Sequence, residues 1–389
     1  MFFSNKQHYL TLFVLILTVL LLGPQSIGAQ SMDRGFGRRT ETAAAGDLAF
    51  DMGAVFNAEY LLSDEEANEF DAHELEISLG ANIDPYFSAV ATFEIEDHGA
   101  ELEEGFLTTQ LPYKTQLQFG RQLLPFGYLN DIHSHDYPQV DGPLVLEQLT
   151  DGGDLTGEGA HIEWMAPLMN PTLTLTAGAY EKLDNDFSAE INVNHSNHDD
   201  DKIDLEGRPG LLRAESFWQS QDRNHNILAG VSYISGIGER DQGFDTASIQ
   251  YIGGADLRYR YTPAGDMRGL TLSGEYLLRE SEFSKEYSGG DYEAGDKMTD
   301  AGFYTYAQWD FDNYWGVGYR YDNTDVAQSD GDKDLTGNTL YGEWRPTEFS
   351  RLRLQYQDID ILDHGEVEND DRIMMQGTFF LGWHPPHEF

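Results

Sequence analysis

The sequence predicts an all-β protein, a transmembrane antiparallel β-barrel of about 16 strands, and three observations predict it. Short segments alternate apolar and polar residues from about Asp47 to Phe389. The turns that join them alternate short and long. Aromatic residues gather near the segment ends. A period of two marks a half-buried strand. Sustained along a chain between turns of unequal length, it marks a closed sheet with lipid outside and water within.

The N-terminus comes first. Lys6 and His8 precede an apolar stretch from Leu10 to Leu22, and Ile27-Gly28-Ala29 places small residues after it. This reads as a secretory signal over 1–29. Its apolar stretch of about 13 residues falls short of the ~20 that a membrane helix needs. Residues 30–46 are polar and small and read as a periplasmic lead-in, and 47–389 as the barrel. The chain has no cysteine, so it has neither a disulfide framework nor a lipid-modified cysteine.

Strands are expected near 47–62, 70–82, 86–97, 103–111, 114–124, 157–166, 171–181 and 210–219. The second half adds 226–236, 247–262, 268–282, 299–309, 314–323, 336–345, 350–360 and 371–384. In 171–181, Leu173, Leu175, Ala177 and Ala179 share a face opposite Thr172, Thr174 and Thr176. In 350–360, Leu352, Leu354 and Tyr356 oppose Arg351, Arg353, Gln355 and Gln357. Charges facing lipid near the midplane cost about 2–4 kcal/mol each. The polar parity, with Glu74, Glu76, Thr92, Glu94, Asp256, Arg258, Arg260, Glu275, Arg320, Arg351 and Arg353, therefore faces water.

Short connections rich in Pro, Asp and Asn fall at 83–85, 112–113, 167–170, 220–225, 263–269, 310–313 and 346–349. Long ones fall at 63–69, 97–102, 127–156, 181–209, 236–246, 283–299, 323–335 and 361–370. Short periplasmic turns and longer external loops place both termini in the periplasm of a Gram-negative outer membrane. Tyr259, Tyr261, Trp309, Trp315, Tyr319, Tyr321, Trp344 and Trp383 lie on the apolar parity, where they would form interfacial girdles.

The balance of 68 acidic against 24 basic residues gives a formal charge of −44, which excludes nucleic acid as a partner. The acids concentrate in the long connections, as at Asp64 to Glu69 and Asp322 to Asp334. There they read as solvated loops, or as groups facing the divalent cations of a lipopolysaccharide surface.

Gly120-Arg121-Gln122-Leu123-Leu124-Pro125-Phe126-Gly127 resembles the Gly-basic…Pro-Phe-Gly motif of the phosphate-selective O/P-type porin superfamily. The segment from Asn130 to Asp136, Val140 to Leu144 and the ending His384-Pro385-Pro386-His387-Glu388-Phe389 resemble a branch of that superfamily ending in HPPHxF. Some members of the branch are labelled zinc-regulated TonB-dependent outer-membrane receptors. The architectural resemblance covers nearly the whole chain after residue 29, and the specific motifs about a tenth of it. It implies that the third external loop, 127–156, folds into the lumen and narrows it. Phe389 resembles the terminal signal read by the barrel-insertion machinery.

The loop's own sequence fits an inward fold. Asp141 is placed to cap a short helix with Pro143 in its first turn, followed by Leu144 to Leu149. Its acids Asp131, Asp136, Asp141 and Glu147 would line one side of a constriction, with Arg258, Arg260, Arg320, Arg351 and Arg353 opposite. Acidic loop against basic wall gives a transverse field. The alternative is that these arginines pair with wall acids such as Asp256 and Glu275.

His133, His135 and Asp136 in one loop, and His195 with His198 in another, supply imidazole and carboxylate suited to zinc or another divalent cation. Their spacing is not that of a closed site, and simple hydrophilic loops are the competing reading. No cofactor is otherwise implied. Ser134 lies between two histidines, but no Gly-x-Ser-x-Gly or HExxH occurs and no enzyme is expected. The expectation is an outer-membrane porin-like channel for passive diffusion of small hydrophilic solutes or ions, weakly cation-preferring and compatible with a homotrimer. The alternative is a receptor or channel for a divalent metal, without a TonB plug.

Overall fold

Alternation becomes sheet along the whole barrel region of the computed structural model, which describes residues 50–63, 69–96, 99–150, 155–183, 205–238, 249–263, 268–282, 297–328, 331–363 and 366–382. The expected signal 1–29, the lead-in 30–46, His195, His198, Trp383 and the HPPHxF ending lie outside the described residues.

Among the described residues the strands are β1 Phe50–Ser63, β2 Glu69–Asn82, β3 Phe87–Glu96, β4 Gly99–Leu111, β5 Thr115–Leu123, β6 Thr156–Met165, β7 Thr172–Leu183 and β8 Leu205–Gln219. They continue as β9 His225–Gly238, β10 Ile249–Tyr261, β11 Gly269–Glu282, β12 Lys297–Asp310, β13 Trp315–Gln328, β14 Gly331–Thr347, β15 Ser350–Asp363 and β16 Glu366–Gly382. Each strand pairs antiparallel with its sequence neighbours, and β1 pairs with β16 from Gly53↔Gly382 to Ser63↔Arg372. That closure leaves no open edge, the condition for a sheet in lipid. Among the described residues no helix is long and apolar enough to cross a membrane.

The two faces separate as the parity predicts. On β15, Leu352, Leu354 and Tyr356 are exposed on the outside, while Arg353, Gln355 and Gln357 are buried within. Leu212, Val231, Leu257, Leu340 and Leu354 are each more than half exposed. An apolar belt of that extent is unstable in water and suited to lipid. Trp164, Trp218, Trp309, Trp315 and Trp344 are all outward-facing and all lie near the short-turn end. Trp315 stacks on Trp344 with ring centroids 5.6 Å apart. Such a ring marks one membrane interface.

Val231 sits mid-strand on this belt, between Ala214 of β8 and Ala255 of β10. Val231→Arg is expected to destabilise the folded barrel by about 2–4 kcal/mol, the cost of a lipid-facing charge at the midplane. Denaturant titration in lipid vesicles measures it.

Two expectations are corrected. The connections expected at 97–102, 323–335 and 361–370 are mostly sheet, because pairing runs on through Glu96↔Gly99, Gln328↔Gly331 and Asp363↔Glu366. Polar residues fall on both parities of these strand ends, so alternation does not distinguish them from loops. The interior is also not uniformly polar. Leu211, Leu228, Ile234, Ile252 and Leu277 face inward and pack with residues of the third loop in a buried cluster. The barrel encloses a small core of its own.

Candidate functional site

The long connection between β5 and β6 turns into the lumen rather than away from it, beginning at the Pro-Phe-Gly motif. Gly127 has φ +71°, and a Cβ there would overlap Oε2 of Glu275 on β11. Only glycine accepts that conformation and that approach without strain. Glu275 then accepts the backbone N–H groups of Tyr128 at 3.0 Å and Leu129 at 2.8 Å, and the Tyr304 hydroxyl at 2.6 Å. Gly127 N–H donates to Ser232 Oγ at 3.2 Å. One wall carboxylate thus receives the donors at the start of the loop's first 3-10 turn, Leu129–Asp131.

Asn130 ties the two legs of the loop together. Its amide donates to the Leu124 and Leu155 carbonyls at 2.8 and 3.1 Å, and its Oδ1 accepts from Leu155 N–H at 2.5 Å. Phe126, Leu129, Ile132, Val145, Leu146 and Leu149 all enter the buried cluster against the inward leucines and isoleucines of the wall. Burial of apolar area is worth about 25 cal/mol per Å². The loop is therefore held by packing as well as by polar contacts.

The middle of the loop is gripped by β15. Arg351 donates to the His135 carbonyl, and Arg353 donates to the carbonyls of Tyr137 and Gln139, to that of His135 at 3.4 Å, and to Gln376 Oε1. Gln355 accepts from Val140 N–H at 2.9 Å and donates to Asp141 Oδ1 at 2.6 Å. Asp141 also pairs with Arg320 on β13, 3.2 Å from Nη1 to Oδ1. Arg320 is itself held by Asp322 at 2.7 Å.

The short helix α1, Leu144–Leu149, forms where expected but is capped differently. Pro143 takes the N-cap position with extended backbone and no side-chain cap, and Asp141 is occupied with Arg320 and Gln355. The cap comes from the wall instead: Asp322 Oδ1 accepts Leu144 N–H at 3.2 Å. At the other end Arg279, paired to Asp300 at 2.6 Å, donates to the Leu149 carbonyl at 3.3 Å. Acid at the N-terminus and base at the C-terminus both complement the helix dipole.

The expected constriction residues are thus distributed unevenly. Arg320 meets Asp141, while Arg351 and Arg353 meet loop carbonyls. Arg258 lies over the Tyr128 ring, 4.5 Å from its centroid. Arg260 is half-buried, Asp131 is exposed, and Asp136 lies 3.8 Å from His135 Nε2. Glu147 sits among Asp141, Asp322, Arg320 and Arg372. Burial first and the Asp141 charge second push its carboxyl up to about 8, against the pull of Arg320 and Arg372.

Glu147 has a measurable consequence. Between its unperturbed value near 4.5 and about 8, the docked loop retains a proton that a released loop sheds. Docking therefore weakens as pH rises through that window and levels off above it. Glu147→Gln is expected to hold the loop more firmly than wild type at pH 7–9 and equally at pH 4. The rate of proteolytic cleavage within 128–154, compared between the two proteins across pH, reads the difference.

The histidines of the loop are brought to β2 and β4. His133 Nδ1 lies 2.8 Å from Glu103 Oε1 and 3.6 Å from Glu76 Oε2, and its Nε2 lies 3.3 Å from Glu104 Oε2. His135 Nδ1 lies 3.2 Å from Glu76 Oε2, and the two imidazoles stack with centroids 5.5 Å apart. The parts played by Glu103, Glu104, Arg279 and Asp322 are not legible in spacing. The one local signal was the Pro-Phe-Gly bend itself.

No protein-family model matches the chain. An uncharacterised protein of Aquifex aeolicus (strain VF5) is 28% identical over 339 residues, spanning 83% of this chain and 71% of that protein. Among solved structures, the barrel is similar to an anion-selective porin from Comamonas acidovorans, with TM-score 0.56, 11% identity and coverage of 86% of this chain and 100% of that one. It is also similar to the trimer form of OmpT, an outer-membrane protein of Vibrio cholerae, with TM-score 0.54, 11% identity and coverage of 86% and 99%. At these identities the likeness is one of fold.

Proposed function

We propose that this chain is an outer-membrane porin-like channel for passive diffusion of small hydrophilic solutes or ions, narrowed by its third loop. The observation that carries the reading is the loop itself. It crosses the lumen of a closed, lipid-belted barrel and is fastened by wall side chains of β11, β13 and β15. Loop and clamp cover much of the inner wall from β10 to β16. At the short-turn end of β5 and β6 the inward Gln116, Gln118 and Glu163 keep partial exposure, and the passage is proposed to open there.

Both termini face the periplasm of a Gram-negative cell, below short turns and the tryptophan ring. The segment 1–29 is an export signal, and Phe389 is read by the insertion machinery. Lipopolysaccharide borders the acidic external ends. The similar OmpT fold, which has a trimer form, supports a homotrimer. The O/P-type resemblance and its HPPHxF branch belong to the same proposal. The acidic balance favours cations weakly.

Reversal potentials in a KCl gradient, with liposome swelling in sugars of graded size, test this. A cation-favouring potential and a sharp size limit are expected. Swelling no different from empty liposomes would refute it. The second reading, a receptor for a divalent metal, rests on the meeting of His133 and His135 with Glu76, Glu103 and Glu104. Zinc-dependent uptake lost on changing both histidines to alanine would favour it.

A further inference from the structure

We infer that Glu76, Glu103 and His133 form a site for a resident first-row divalent cation, with zinc its reference member, that fastens the third loop to β2 and β4. This refines the metal reading to named atoms and makes the ion a structural staple rather than cargo. It holds whether or not the barrel conducts.

The donors converge from three separate elements. One ligand atom each from Glu76 on β2, Glu103 on β4 and His133 in the loop lie within 4.8 Å of one another. Zinc bonds of about 2.0–2.1 Å place tetrahedral ligand atoms about 3.3 Å apart. The His133 Nδ1 separations of 2.8 and 3.6 Å from the two carboxylates bracket that spacing. Small side-chain adjustments therefore admit the ion.

The surroundings orient each ligand as a metal site requires. Glu104 Oε2 stands 3.3 Å from His133 Nε2, and its Oε1 is fixed by Leu123 N–H at 2.8 Å. An imidazole that donates Nε2–H to a carboxylate presents the Nδ1 lone pair to the cage, the carboxylate–histidine arrangement that supports metal ligation. Glu76 Oε1 accepts from Ser78 Oγ at 2.8 Å, which turns Oε2 toward the cage and toward His135.

Charge and chemistry agree. Glu76 and Glu104 are 3% and 7% exposed, and His133 is 2% exposed. A divalent ion bound to Glu76 and Glu103 would offset carboxylate charge that burial makes costly. One imidazole with two carboxylates suits zinc and its first-row neighbours better than calcium or magnesium, which take oxygen ligands. Glu103, with its side chain 18% exposed, leaves a way in for the ion.

The test is a zinc titration of the folded, metal-stripped full chain in detergent, against a chromophoric chelator, with folding checked by heat-modifiable migration. One zinc per chain is expected, with calcium failing to compete. Glu103→Gln and His133→Asn should abolish this binding, while Glu104→Gln raises the Kd about 10–100-fold by disturbing only the histidine's partner. Zinc should slow proteolysis of the loop in wild type and not in Glu103→Gln. His195→Asn/His198→Asn should bind as wild type does. Folded wild type that takes up no zinc would overturn the site. Binding that survives Glu103→Gln, or that disappears with His195 and His198, would also overturn it. Channel failure is read separately, in conductance.

Discussion

Replacing Arg351 and Arg353 together with alanine is expected to free the third loop from β15 and raise single-channel conductance several-fold. The two guanidinium groups bond the backbone carbonyls of His135, Tyr137 and Gln139. Each charge-assisted bond is worth about 1.5–3 kcal/mol, and removing the donors leaves buried carbonyls unsatisfied. The combined loss is on the order of 5 kcal/mol, allowing for non-additivity. About 5.5 kcal/mol carries a two-state equilibrium from 99:1 to 1:99, so the docked state loses its dominance. The apolar packing of α1 and the Glu275 anchor lie elsewhere on the loop, so the middle segment should open while the barrel stays folded. Conductance recordings with proteolysis between 133 and 142 check both halves of the expectation. Wild-type conductance with a protected loop would contradict it.

Gly127→Ala is the second large effect, and it acts at the loop's root. A side chain at φ +71° costs about 1–2 kcal/mol in itself. The added methyl also displaces the Glu275 carboxylate, which accepts from Tyr128 N–H, Leu129 N–H and the Tyr304 hydroxyl. Leaving buried donors unpaired adds about 1–3 kcal/mol per group. The variant should fold as a heat-modifiable barrel, show larger and noisier conductance, and be cleaved faster within 128–154. Glu275→Gln keeps an acceptor and should show a smaller change. Gly127→Ala indistinguishable from wild type would mean that the bend does not position the loop.

Both predictions use contacts that the sequence conceals. The strands were legible because lipid imposes a strict parity: Leu352, Leu354 and Tyr356 had to face out, so Arg353, Gln355 and Gln357 faced in. The ends of the longer strands were not, because Asn323, Thr324 and Asp325 put polar residues on both parities. The loop's short helix, Leu144–Leu149, was legible from its own apolar run. The loop's partners were not, since Arg353 and His135 are 218 positions apart. Register across a closed sheet decides such meetings, and a one-residue slip reverses them. Broken alternation did leave a trace of the inward apolar patch. Tyr251-Ile252, Tyr233-Ile234 and Tyr276-Leu277-Leu278 are apolar on both parities, and the inward member of each packs against the loop. Asp141 was misplaced for a related reason. A helix cap can come from any nearby acid, and Asp322 on β13 lies nearer Leu144 N–H than local spacing discloses.

The most direct test of the channel reading is single-channel recording of the folded wild-type chain in a planar bilayer. Steady, discrete steps that grow when the third loop is unclamped are predicted. Silence from correctly folded barrels, in wild type and in the Arg351→Ala/Arg353→Ala variant alike, would contradict the claim that this lumen is a passage.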